Sequence, residues 1–130
     1  MSQYHGSTFC DITFNAEADL RLYRYHVVKL GTAANSVGLS TAATDAGVIG
    51  VLQNEPNLNE QAIVRIFGPS KCYVDEAITK GDWLAADGTS HAIQNVADRN
   101  VVVGRALETN TSTTPVIQEI FVCPMQTSHA

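Results

Sequence analysis

Four histidines, three cysteines and eight serines are the side chains with which this sequence could perform chemistry. Two imidazoles on one helical face grip a metal ion when spaced H-x-x-x-H, and His5, His26, His91 and His129 show no such spacing. A zinc knuckle or thioredoxin-type site needs C-x-x-C. Cys10, Cys72 and Cys123 are isolated instead, and read as reduced thiols packed as small hydrophobes. None of the serines sits in the G-x-S-x-G turn that holds a nucleophile in the open. Lys80-Gly81-Asp82 lacks the glycines before the lysine and the hydroxyl after it that a phosphate loop requires. The expected roles there are a positive-φ turn at Gly81 and an Asp82 carboxylate bonded to nearby backbone amides. The adjacent carboxylates Asp75 and Glu76 would face opposite sides of a strand. Tyr23, Tyr25, Tyr73, Trp83 and Phe121 read as core or interface aromatics. The sequence is therefore expected to be no enzyme, and to use no metal and no cofactor.

The bulk properties narrow the partners. A chain of 130 residues fits one domain, and about two-thirds of its unfolded surface can be buried, enough for a core without staples. The formal charge of -5, with eight scattered Lys and Arg, gives no basic stripe to neutralise phosphates, so nucleic acid is not an expected partner. Apolar runs such as Val48-Ile49-Gly50-Val51-Leu52 fall far short of the ~20 residues that a membrane helix needs. No membrane association is expected, and Met1 to Gly6 lacks the basic start and apolar core of a signal peptide. Only 16% of residues are charged, and so thin a charged coat hints at surface that is covered by another protein.

Residues 1–19 mix polar residues and glycine with isolated apolar ones and read as an N-terminal arm, anchored by Phe9, Ile12 and Phe14. A β-rich body is expected over 20–123 and a short polar tail over 124–130. Within the body, Leu20 to Leu30 is rich in aromatic and β-branched residues and reads as a strand closed by Gly31. Val37 and Leu39 mark a short strand. Ile49 to Gln53 reads as a buried one, with Gly50 at a bulge or at a close backbone approach. Asn54 to Asn59 is a loop. Ala62–Phe67 reads as a strand stopped by Gly68-Pro69, and a second strand over Lys71–Asp75 follows. Glu76 to Asp82 has room for barely two helical turns. Asp87-Gly88 signals a hairpin between Trp83–Ala85 and His91–Gln94. Asn100 to Glu108 and Val116 to Cys123 are the last strands, the second ended by Pro124. Short strands separated by Gly, Pro, Asn and Asp predict an all-β fold, a small barrel or a sandwich.

The order of these pieces carries a resemblance. Tyr25 to Gly31 is followed by Thr41 to Asp45, Gly47 to Pro56, Ala62 to Gly68, Ala77 to Leu84, Asp87-Gly88-Thr89 and Val103 to Glu108. Over residues 20 to 123 the chain resembles tailed-phage capsid decoration (cement) proteins of the DUF2190-type family. The resemblance implies a small β-rich protein that binds the outside of the mature capsid, commonly as a homotrimer, and clamps neighbouring major capsid protein subunits. Its expected partners are the major capsid protein and itself. The residues expected at those contacts are Phe9, Ile12 and Phe14 of the arm, Asn54, Pro56 and Leu58 of the loop, and Trp83. The alternative is a stand-alone β-barrel module for carbohydrate or peptide, using Tyr23, Tyr25 and Trp83 as a platform. A hydrolase or lyase built on Cys72 or a histidine is the third reading.

Overall fold

The computed structural model describes residues 9–94 and 101–126. The described residues form nine strands: β1 (Cys10–Ala16), β2 (Val27–Leu30), β3 (Ser36–Leu39), β4 (Val48–Leu52), β5 (Gln61–Val74), β6 (Trp83–Ala86), β7 (Ala92–Gln94), β8 (Val101–Ala106) and β9 (Val116–Gln126). Among the described residues there is no helix, so the fold is all-β as expected. The Asp87-Gly88 hairpin joins β6 to antiparallel β7.

Strand pairing decides between barrel and sandwich. β1 pairs with β3 and β5, β3 with β2, β2 with β4, and β4 with β5, which closes a five-stranded mixed barrel. The other four strands extend from the second half of β5 through β7, β6, β8 and β9, and β9 returns to β5. Closure leaves few unpaired strand edges, the feature that otherwise invites aggregation. The two circuits repeat one plan: β1 to β5 of the first correspond in pairing order to β5 to β9 of the second. Each holds a single parallel pair, β1–β3 and β5–β7.

Glycine stands at the same place in both circuits. Gly50 lies opposite Val28 and Gly104 opposite Leu84, each beside a register shift. A Cβ on Gly50 would fall on the carbonyl oxygen of Arg65, and one on Gly104 on that of Phe121. Gly50 shows both features between which the sequence left it open, a register shift and a close backbone approach, and both recur at Gly104.

The core is double. Leu20, Val28, Val37, Leu52 and Val64 fill the first barrel, while Cys72, Val74, Leu84, Val103, Ile120 and Val122 fill the second circuit. Val27 and Val51 turn away from the first core and join the second. Neighbouring side chains on β2 and β4 are therefore buried on opposite faces, which explains why these strands read as continuous apolar runs.

Five segments differ from expectation. Residues 10–16, placed in the arm, form β1, because the segment pairs with β5 along its length and packs Phe14 and Ala16 against the first core, while Asp11, Ile12, Thr13 and Asn15 stay exposed. The strand expected from Leu20 starts only at Val27. Turns at Leu20 to His26, with Tyr25 at a φ of 68°, first bring the chain round from β1. Gly68-Pro69 does not stop β5, because pairing to β1 ends at Phe67 and pairing to β9 begins at Gly68, so the proline sits where the strand changes partner. Pro124 likewise lies inside β9, at the register shift opposite Val103, where a missing N–H is tolerated. Glu76 to Asp82 forms turns and an Ile78–Asn110 bridge in place of a helix. Gly81 has the expected positive φ (96°), and the Asp82 carboxylate accepts from Thr79 N–H at 2.8 Å.

The connection into β4 hangs on one carboxylate. Asp45 Oδ2 accepts from Thr41 N–H (3.0 Å), Ala42 N–H (3.2 Å) and Ser40 Oγ (3.0 Å), and Oδ1 faces Lys29 Nζ at 3.4 Å. Burial works against its charge, but these donors outweigh burial and hold the carboxyl below its ordinary value. A depressed folded value means stability that is present at neutral pH and lost as pH falls through the acid range.

Two outcomes follow from these contacts. Gly50→Ala and Gly104→Ala should each destabilise by about 3 kcal/mol or more in urea melts, since backbone must move. Gly88→Ala, with nothing near its added methyl, should stay within about 0.5 kcal/mol. Asp45→Asn should lose about 1–2 kcal/mol at pH 7. Its deficit relative to the parent chain should shrink as melts are taken below the ordinary carboxylate value of 3.8.

Candidate interaction surface

The strand pleat makes the outer face. With Ala62 and Val64 buried, Ile63, Arg65 and Phe67 of β5 point outward. Across the register, Pro69 of β5 lies beside Phe121 of β9, Phe121 beside Arg105 of β8, and Arg105 beside Trp83 of β6. Four strands thus place arginine and aromatic side chains in one row. The Phe67 and Phe121 rings meet edge to face at 5.2 Å. The Arg105 guanidinium covers Trp83 at 4.6 Å from its centroid and donates to Gly81 O from Nε (3.2 Å) and Nη2 (3.1 Å).

At the other end of the row, Arg65 holds three partners. Its Nε and Nη2 donate to the Asp11 carboxylate at 2.8 and 3.1 Å, and Nη1 donates to Pro69 O at 2.8 Å. Its Cζ stacks 4.2 Å from the Phe9 ring centroid. Phe67 is 51% exposed, so the middle of the row is open to a partner. Arg65 is neutralised by Asp11, whereas Arg105 has no carboxylate within 4 Å among the described residues. The row therefore presents apolar ring edges framed by one uncompensated positive charge. Aromatic and Arg side chains are the types that dominate protein interfaces, and rotamers already held by stacking lose little entropy on binding.

The residues singled out from sequence are divided by the fold. Phe9 and Trp83 stand at the two ends of this row. Ile12 is 41% exposed, but Phe14 packs against the first core. Pro56 is buried, its carbonyl accepting from Leu20 N–H at 2.9 Å. Asn54 is spent on structure, bonding Gln61 O and Ile63 N at 2.9 Å each. Leu58 is exposed on its loop. Arg65, Phe67 and Arg105 were not expected, and Phe121 was read only as a core or interface aromatic, because residues such as Phe67 and Phe121, 54 positions apart, become neighbours only through strand register. The period-2 alternation in β5 was the one sequence signal that pointed to Phe67.

The rival sites fare differently. Tyr23 packs against the first core and Tyr25 against the second, while Trp83 lies under Arg105, so these three rings form no common platform. Cys72 is fully buried, and burial pushes its thiol up to about 12, far from a reactive thiolate. Burial also raises Cys123, with Arg105 pulling weakly the other way.

No protein-family model matches the chain, and no curated protein matches it. Among solved structures, the crystal structure of the N base of head fibre gp8.5 in bacteriophage phi29 is similar, with a TM-score of 0.62 at 12% identity. The similarity covers 93% of this chain and 99% of that one, so it is a likeness of the whole fold.

The thiols give a direct check on this arrangement. In the native state at neutral pH, a maleimide should label exposed Cys10 first, Cys123 more slowly and Cys72 only after denaturation, as read by peptide mass spectrometry.

Proposed function

We propose that this chain is a non-enzymatic structural protein of a phage head, bound to the outer surface of the capsid. The observation that carries the reading is the end-to-end likeness of fold to a phage head fibre base. The arginine–aromatic row supplies a surface suited to holding a protein partner, and the absence of a basic stripe suits protein better than nucleic acid.

In this reading the partner is the major capsid protein. Phe67 and Phe121 enter an apolar depression of the shell, and Arg105 meets a shell carboxylate. Binding only to the assembled lattice stabilises it by RT ln(1 + [L]/Kd) per site, and several attached copies multiply the effect through avidity. The chain acts as cement between neighbouring shell subunits, and the DUF2190-type resemblance adds self-association as a homotrimer. Phe9, Ile12, Leu58 and Trp83 are proposed as peripheral contacts, since each is wholly or partly exposed.

Co-sedimentation with capsids lacking this chain tests the reading. The parent chain should saturate the shell at a fixed ratio. Phe67→Ala and Arg105→Glu should each weaken binding about tenfold or more, the scale of an interface anchor, with melting temperatures near the parent's. Absence of saturable binding, or variants that bind as the parent does, would remove the row from the interface.

A further inference from the structure

Away from the surface row, the β6–β7 hairpin meets the end of β5 around a polar cluster. Asp75 follows β5, while Asp87, Thr89 and His91 belong to the hairpin. Backbone bonds clamp the frame: Asp75 N–H donates to Ala92 O at 3.0 Å and Asp87 N–H to His91 O at 2.9 Å. An oxygen of Asp75, an oxygen of Asp87 and a ring nitrogen of His91 lie within 4.8 Å of one another. No Lys or Arg stands within 4 Å of either carboxylate among the described residues.

Proton counting shows what this group lacks. His26 Nδ1 faces Arg24 O at 3.3 Å, so that nitrogen carries the hydrogen. His26 is buried, which disfavours a second proton and leaves its Nε2 as an acceptor. His91 Nε2, 3.0 Å away, therefore donates to it. In the neutral ring this arrangement leaves the lone pair on His91 Nδ1, the nitrogen that faces the carboxylates. Thr89 Oγ1 lies 2.7 Å from Asp87 Oδ1, 3.1 Å from His91 Nδ1 and 3.4 Å from Asp75 Oδ2. The Thr89 hydroxyl thus stands among three acceptors, the neighbouring Asp87 carboxylate holds the Asp75 carboxyl above its ordinary value, and His91 Nδ1 lies 3.6 Å from Asp75 Oδ2, an ion pair only when the ring is protonated. A metal-ligating histidine commonly donates its other N–H to an outer partner, as His91 does to His26.

The geometry points to a divalent metal site formed by Asp75, Asp87 and His91, with His26 as the positioning residue. Two carboxylate oxygens and one imidazole suit a first-row ion such as Zn2+ better than Ca2+ or Mg2+, which take oxygen donors. Bonds of about 2.0–2.2 Å require the three side chains to draw in slightly. The site is structural: it ties the hairpin to β5 where the second circuit closes through a single register pair, Val74 with Ala92. This inference does not rest on the capsid reading.

The test uses the full chain, stripped with a chelator and dialysed against Zn2+. One equivalent of zinc should be retained by elemental analysis, and the melting temperature should rise by several degrees. Long-range nitrogen–proton NMR of the unaltered chain should show a shifted His91 Nδ1 with Nε2–H kept, a readout that needs no variant. His91→Gln and Asp75→Asn should lower zinc affinity at least tenfold, and His26→Gln should lower it less. Zinc that is not retained, that leaves the His91 nitrogens unmoved, or that both ligand variants bind as tightly overturns the proposal. A cluster closed by a proton alone would give the first of these outcomes.

Discussion

One strand serves two closures, and the rest of the molecule depends on it. β5 has 14 residues, roughly 46 Å of extended chain and far more than a small barrel can use. Its first half completes the first barrel against β1 and β4, and its second half templates β9 and receives β7. The exchange of partners falls at Gly68-Pro69, where Gly68 takes a φ of 113°. A residue with a Cβ there would be strained. Without this hand-over the two circuits would be separate domains on a linker, and neither would be large enough to bury a good core.

The shared strand also organises the outer surface. Because the pleat of β5 continues through the junction, outward positions of the first barrel lie in line with those of the second. Arg65 and Phe67 come from one half of β5 and Phe121 stands beside the other, so the stacked row is a by-product of closure. The same continuity holds Asp75 at the strand end against the hairpin, where His26 from the first half of the sequence reaches His91 from the second. Surface row and polar cluster both lie at contacts between the two repeated circuits.

Repetition of the plan leaves almost no trace in the residues. Gly50 and Gly104 are shared because backbone crowding permits nothing else. Elsewhere, equivalent register positions carry Val51 and Arg105, or Arg65 and Phe121. Val51 is buried between two cores while Arg105 faces outward. The topology is the same, but the first circuit is packed upon by the second at Val51, whereas the equivalent Arg105 is the one exposed residue of β8. Different surroundings demand different side chains, and similarity is lost.

What the sequence determined by itself was local: the all-β class from short strands set apart by Gly, Pro, Asn and Asp, the Asp87-Gly88 hairpin, the turn at Gly81 and Asp82, and a bulge or close approach at Gly50. Each follows from steric or hydrogen-bonding preferences that act over a few residues. Where the reading failed, the local signal was true but its context was distant. Gly68-Pro69 and Pro124 have the chemistry of strand breakers, yet each lies where a partner changes or a register slips. Residues 10–16 look like an arm until β3 and β5 cover their two edges. Tertiary structure alone decided which edges meet, and hence that Phe9 and Trp83 bracket one row, that Phe14 and Pro56 turn inward, and that two histidines 65 positions apart share a hydrogen bond. The physical reason is that a strand's hydrogen-bonding edges are alike in every sequence. Partner choice is settled by the burial gained across the whole fold, a sum that no short segment contains.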